Sequence, residues 1–215
     1  MHIPDGFLDA KTFVALDVVG AGFVAVAAAR VRRTLSERAV PLMAVLAAFI
    51  FAAQMLNFPV AGGTSGHFAG GALAAIILGP WAAVLVMTLV LVIQALLFGD
   101  GGVLALGANA LNIAVVAPFV GYGLYRLTRR LWRNEVGRFV ASFAGAWLAV
   151  VAAASACAVE LAISGTIPLA VVLPTMAAVH AFIGVGEGLI TALALGALRA
   201  TRPDLLELAP GDGAR

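Results

Sequence analysis

Met1 and His2 place a free α-amine, a main-chain nitrogen and an imidazole where one metal ion could bind all three from one side. Two fused chelate rings would close, the smaller through amine and amide and the larger through amide and imidazole. Such a metal wants one further nitrogen, and the other histidines are His67 and His180. The amine must be the true start of the chain for this to work. The first residues carry Pro4, Asp5, Gly6 and Asp9 where an export signal would carry a basic start and an apolar run. Histidine at position 2 is too large for ordinary methionine excision, so Met1 is expected to stay.

A lone histidine in an apolar setting is more often a hydrogen-bonded core residue than a ligand. The combination with a free amine and a glycine-rich stretch ending in His67, with no cysteine expected in reach, points instead to an all-nitrogen site. Such a donor set suits Ni(II), Cu(II) and low-spin Co(II), whereas Mg(II) and Ca(II) need oxygen. Pro4-Asp5-Gly6 favours a tight turn that folds the first residues back on the protein. Asp5, Asn57, Thr64 and Ser65 are candidates to orient the imidazoles from behind. His180 and Glu187, seven apart on one helix face, are candidates for an outer gate or the same supporting role.

The elements that must position these groups are membrane helices. The 215 residues are 63% hydrophobic and 11% charged, with a mean hydropathy of +1.07, too apolar for a soluble domain. The expected fold is an all-α polytopic membrane protein. Seven helices are read at about 12–31, 40–57, 68–79, 81–98, 108–126, 138–163 and 176–199. The third is too short, because a ~30 Å core takes about 20 helical residues. The glycine-rich segment from Pro59 to His67 is therefore read as a re-entrant loop dipping in from outside, tolerable only within protein or beside a wet cavity.

Counting sides with the amino terminus outside puts all twelve arginines in the cytoplasm and Lys11 opposite. Residues 1–202 form one transmembrane metal-binding domain and 203–215 a short cytoplasmic tail with no further span. The clustered arginines mark topology and imply no nucleic-acid surface. Intramembrane polar groups, among them Asp17, Gln54, Gln94, Asn109, Asn112 and Glu160, fall in the outer half, which describes a cup open to the outside rather than a channel. Ala21, Ala25 and Ala29 form a small-residue ridge where a partner helix could approach. No GxxxxGK[ST] phosphate loop occurs, so ATP hydrolysis would fall to another chain. Two other classes fit parts of the sequence. Gly63-Thr64-Ser65-Gly66 with His180 would be an intramembrane serine protease, and Glu160 with Glu187 a proton-coupled metal secondary transporter.

Four stretches resemble one family: Met1-His2-Ile3-Pro4-Asp5-Gly6-Phe7, Gln54 through Val60 into Gly62-Gly63-Thr64-Ser65-Gly66-His67, Gln94 through Gly102, and His180 through Gly188. They are similar to the CbiM/NikM family, the substrate-binding membrane subunit of energy-coupling factor transporters for cobalt or nickel, and the similarity runs to about Arg202. The resemblance implies seven helices with an outside amino terminus, in the cytoplasmic membrane of a prokaryote. It implies a transported Co(II) or Ni(II), not a cofactor, held by the Met1 amine, the His2 main-chain and ring nitrogens and the His67 ring. It further implies no enzymatic activity in this chain, and as partners a transmembrane scaffold subunit, cytoplasmic ATPase subunits and a small accessory membrane protein in some cases. A planar four-nitrogen site leans to nickel over cobalt without deciding between them.

Overall fold

The structure, a computed structural model, describes residues 1–56, 58–60 and 64–206, with 58–60, 64 and 65 described as backbone only. Each expected apolar run is a helix. Helix α1 (Ala10–Thr34) is capped by Asp9, whose carboxylate accepts from the amides of Lys11 and Thr12. Helix α2 (Ala39–Gln54) leads into a small antiparallel hairpin, β1 (Phe58–Val60) against β2 (Thr64–Gly66), then the short α3 (Gly71–Leu78). Helix α4 (Pro80–Ile93) continues through a π-helical turn, Gln94–Phe98. The next rod runs from α5 (Leu106–Asn109) through a π-helical stretch (Ala110–Val116) into α6 (Ala117–Leu131). Helices α7 (Glu135–Ile163), α8 (Leu169–Thr201) and the short α9 (Pro203–Leu206) complete the order.

Among the described residues five helices are long and apolar enough to cross a membrane: Ala10–Thr34, Pro80–Phe98, Leu106–Leu131, Glu135–Ile163 and Leu169–Thr201. Helix α2 is apolar but shorter, and every residue of α3 is buried. A helix apolar on all sides belongs inside the bundle, and α3 lies there among α2, α4, α6, α7 and α8. Helices α6 and α7 approach closely at Gly121 and Gly145, where a Cβ on Gly145 would lie 2.7 Å from the Gly121 carbonyl. Bulk there would force the helices apart.

The segment read as a re-entrant loop is non-helical, as expected, but its described part is the β1–β2 hairpin, whose ladder satisfies backbone groups that a loose loop would leave bare. The last long helix starts at Leu169, seven residues before the expected start at 176. Pro174 is carried inside it, because near the helix's first turns proline removes little beyond one hydrogen bond. By contrast with these buried contacts, Ala21, Ala25 and Ala29 are exposed, so the small-residue ridge of α1 is not spent on packing within the subunit.

Candidate metal site at the amino terminus

The first three residues are threaded into the core: Met1, His2 and Ile3 are all buried. Their backbone is held as a strand would be. The Ile3 amide donates to Asn109 Oδ1 at 2.7 Å, and the Ile3 carbonyl accepts from Asn109 Nδ2 at 3.0 Å and from the Gly102 amide at 2.8 Å. One asparagine thus satisfies both main-chain groups of a buried residue, which otherwise cost about 1–3 kcal/mol each. The turn at Asp5-Gly6, with Gly6 at φ +85, then brings the chain out. Thr166 on the α7–α8 connection donates to the Phe7 carbonyl.

His67 is fixed from behind with equal thoroughness. Its neighbours Ala69 and Gly70 donate their amides to Glu187 Oε2 and Oε1, both at 2.7 Å. The Ala69 carbonyl accepts from Gln54 Nε2 at 2.7 Å, and Gln54 Oε1 accepts from Gln94 Nε2 at 2.9 Å. Gly70 stands at φ +77, a left-handed conformation that other residues rarely adopt, and caps α3. Helices α2, α4 and α8 therefore share the work of placing one loop.

The two imidazoles stack, ring centroids 4.4 Å apart at 26°. His67 Nδ1 lies 2.7 Å from the Phe68 carbonyl, which can only accept, so Nδ1 carries the proton and Nε2 the lone pair. His2 Nδ1 lies 2.9 Å from Asp100 Oδ1, which fixes the same tautomer. Both Nε2 atoms are buried without a hydrogen-bond partner among the described residues. Buried nitrogens with a free lone pair have lost water and gained nothing, a cost that a ligand would remove. The Met1 amine is pushed from 8.0 down to about 5, chiefly by burial, with opposing pulls from Cys157 and Asp100. Burial also lowers the His2 ring, against the hydrogen bond and charge of Asp100. At neutral pH all these nitrogens are bases rather than cations, the state in which metals are bound.

Two expectations change. The fused chelate needs His2 Nδ1, the ring atom two bonds from Cβ, and that atom faces Asp100; chelation requires the ring to turn about Cβ–Cγ and release Asp100. Cys157, read as out of reach, is buried within electrostatic range of the amine. Among the described residues no three His, Cys, Asp or Glu side chains cluster to hold a metal unaided.

The remaining candidates separate by what they touch. Asp5 does not face the imidazoles; its carboxylate accepts from the amides of Val103 at 3.2 Å and Leu104 at 2.8 Å, pinning the loop that also holds Ile3. His180 is buried, donates from Nδ1 to the Met176 carbonyl at 2.8 Å, and lies within electrostatic influence of His67. Glu187 is a clamp on the His67 loop. Asn57 lies outside the described residues, as do the side chains of Thr64 and Ser65. Asn109 and Asn112, three apart, reach different partners, Ile3 for one and Glu160 at 2.6 Å for the other. Asp100 is a functional neighbour that side-chain spacing does not reveal; its one signal in the sequence is a carboxylate inside Gly99-Asp100-Gly101-Gly102, an acid in a glycine-rich turn between two apolar rods.

Comparison with known proteins gives a consistent set. The family profile described as "Cobalt uptake substrate-specific transmembrane region" matches residues 2–205. The chain is similar to a putative fused nickel transport protein NikMN of Archaeoglobus fulgidus, 44% identical over 98% of this chain and 70% of that protein. It is also similar to a cobalt transport protein CbiM of Sorangium cellulosum, 34% identical over 98% of this chain and 99% of that one. A crystal structure of a truncated transition metal transporter superposes with a TM-score of 0.87 at 41% identity, covering 93% of this chain and 99% of the other.

Proposed function

Because the chain belongs to the CbiM family, the cobalt-uptake substrate-specific transmembrane region, we propose that it is the metal-capturing membrane component of an ATP-driven cobalt or nickel uptake transporter. It takes Co(II) or Ni(II) from outside through the Met1 amine, the His2 amide and ring nitrogens and His67 Nε2. The observation that carries this reading is the convergence of a buried amine with two stacked imidazoles, of which His67 offers an Nε2 with no partner among the described residues. Titration of the purified chain with Ni(II) tests it. One equivalent should bind with the absorption of a planar, diamagnetic nitrogen complex; a paramagnetic six-coordinate spectrum would overturn the donor set.

The pH dependence of binding separates the chelate from simple imidazole ligation. An amide that loses its proton to the metal gives an apparent affinity rising about tenfold per pH unit, because one proton leaves for each ion bound. The amine adds nothing to that slope near neutrality, since it is already neutral there. As pH falls through about 5 the amine must also be stripped of a proton, and the slope steepens. A profile flat between pH 6 and 8, measured by competition titration, would count against amide coordination.

The transport machinery is read as divided among chains. The amino-terminal end of the bundle carries the site, the arginine clusters lie at the other ends of the helices, and seven membrane-inserted helices with an outside amino terminus fit that asymmetry. The exposed ridge Ala21, Ala25 and Ala29 is a fitting contact for the transmembrane scaffold subunit. Ala25→Phe should leave metal affinity unchanged while abolishing co-purification of the scaffold and ATPase subunits and uptake in whole cells. Retained co-purification would move the contact elsewhere. Neither a serine protease nor a proton-coupled transporter gains support: the similar proteins named above are transport proteins, and the two carboxylates wanted for proton coupling are occupied with Asn112 and with the His67 loop.

A further inference from the structure

At the end of the bundle where α6 and α8 finish and α7 begins lies a cleft of about 1170 Å³ lined by Arg126, Arg129, Arg130, Arg133, Arg138 and Arg199. Among the described residues lining it, Glu135 is the one carboxylate beside these six guanidinium groups, and it is committed to Arg138 at 2.6 Å. Arg129 is used as a cap, donating to the carbonyls of Trp132 and Asn134. Arg130, Arg133 and Arg199 have no polar partner among the described residues. Ile76, Phe139, Leu195 and Leu206 line the same cleft, beside Tyr125 and Ser142.

Topology signals alone do not require this arrangement. Arginines need only flank helix ends to orient a membrane protein, and Arg30 does so while stacked 4.5 Å above Trp81. Here six converge on one cavity from three helices and a turn, so their mutual repulsion is focused where an anion would relieve it. A guanidinium fork matches a phosphate with paired hydrogen bonds. Guanidinium groups and apolar side chains lining one cleft at a helix-end boundary fit an amphiphile better than a free ion, because a soluble phosphate leaves the apolar lining wet.

We propose that this cleft binds the phosphate headgroup of an anionic phospholipid of the adjoining leaflet, with the start of an acyl chain against Ile76, Phe139 and Leu195. The proposal rests on the membrane placement of the helices and not on the metal site, so the two fail separately.

Native mass spectrometry of the full chain, released from detergent and titrated with phosphatidylglycerol or phosphatidylcholine, tests it. Phosphatidylglycerol should add one tight equivalent and phosphatidylcholine none. The triple variant Arg130→Gln, Arg133→Gln, Arg199→Gln should weaken that adduct roughly tenfold or more, in keeping with the attraction of each basic group to an anionic lipid surface, while Ni(II) affinity stays at the parent value. The lysine triple variant should fall between, since it keeps charge and loses the fork. Equal retention of the two lipids, or an adduct indifferent to the glutamine variant, overturns the proposal. Displacement by millimolar inorganic phosphate or ATP as readily as by phosphatidylglycerol also overturns it, in favour of a soluble anion.

Discussion

Placing one alanine ahead of Met1 should abolish high-affinity Ni(II) and Co(II) binding while leaving the helical bundle folded. The added residue converts the Met1 amine into an amide and carries the new amine one residue away from the stacked imidazoles, so the two chelate rings no longer close beside His67. It must also be accommodated where Met1 is fully buried and the neighbouring Ile3 is tied by three hydrogen bonds. Disturbing an outer-shell partner of a metal ligand costs ~10- to 100-fold in affinity; removing a primary ligand should exceed that, roughly a thousandfold or more. Acetylating Met1 in place adds less bulk and removes the same lone pair, so it separates chemistry from crowding. Isothermal titration on the three forms, with circular dichroism as the folding control, gives the answer. If the acetylated chain binds as tightly as the free one, the amine is not a ligand and the site reduces to imidazoles, Asp100 and Cys157.

What could be read from the sequence divides along a physical line. Local and compositional facts were legible: an amine and an imidazole adjacent at the amino terminus, apolar runs, a glycine-rich stretch ending in His67, and polar groups gathered toward one end. Each depends on residues close in the chain or on totals. Pairings across the chain were not legible. His2 to Asp100 spans 98 positions and Ala69 to Glu187 spans 118, and no helical or strand period encodes which acid meets which donor. Asp5 illustrates the same limit, since its nearness to His2 in the chain made it a candidate to orient the imidazoles, yet the turn at Gly6 points it at Val103 and Leu104. The early start of α8 was hidden for a different reason: proline reads as a boundary unless the helix has somewhere to begin before it, and Pro168 provides that start.

Glu187→Ala should cost both stability and metal affinity, and the comparison with His67→Ala tells which role the carboxylate plays. Glu187 is 2% exposed and accepts from two consecutive amides at 2.7 Å, so it neutralises backbone donors at the entrance to α3 and sits favourably at that helix's positive end. Truncation strands both amides in the core at about 1–3 kcal/mol each, before the void left by the side chain is counted. The thermal midpoint should fall by several degrees or more, a shift of ~2–4 °C accompanying each kcal/mol in a chain of this size. The loop they anchor carries His67 two residues upstream, so affinity should drop by ~10- to 100-fold, as for other supporting partners. Glu187→Gln retains one acceptor and presents an amide donor to the other N–H, so it should fall between parent and alanine in both measurements. His67→Ala, by contrast, deletes a stacked ring with a bare Nε2 and leaves the Glu187 clamp intact. It should cost more affinity and less stability than Glu187→Ala. A gate residue would instead change the rates of metal entry and exit by similar factors, with equilibrium affinity and midpoint untouched. Stopped-flow binding alongside calorimetry resolves the two, and equal affinity in Glu187→Ala would mean that Gln54 and the hairpin suffice to hold His67 in place.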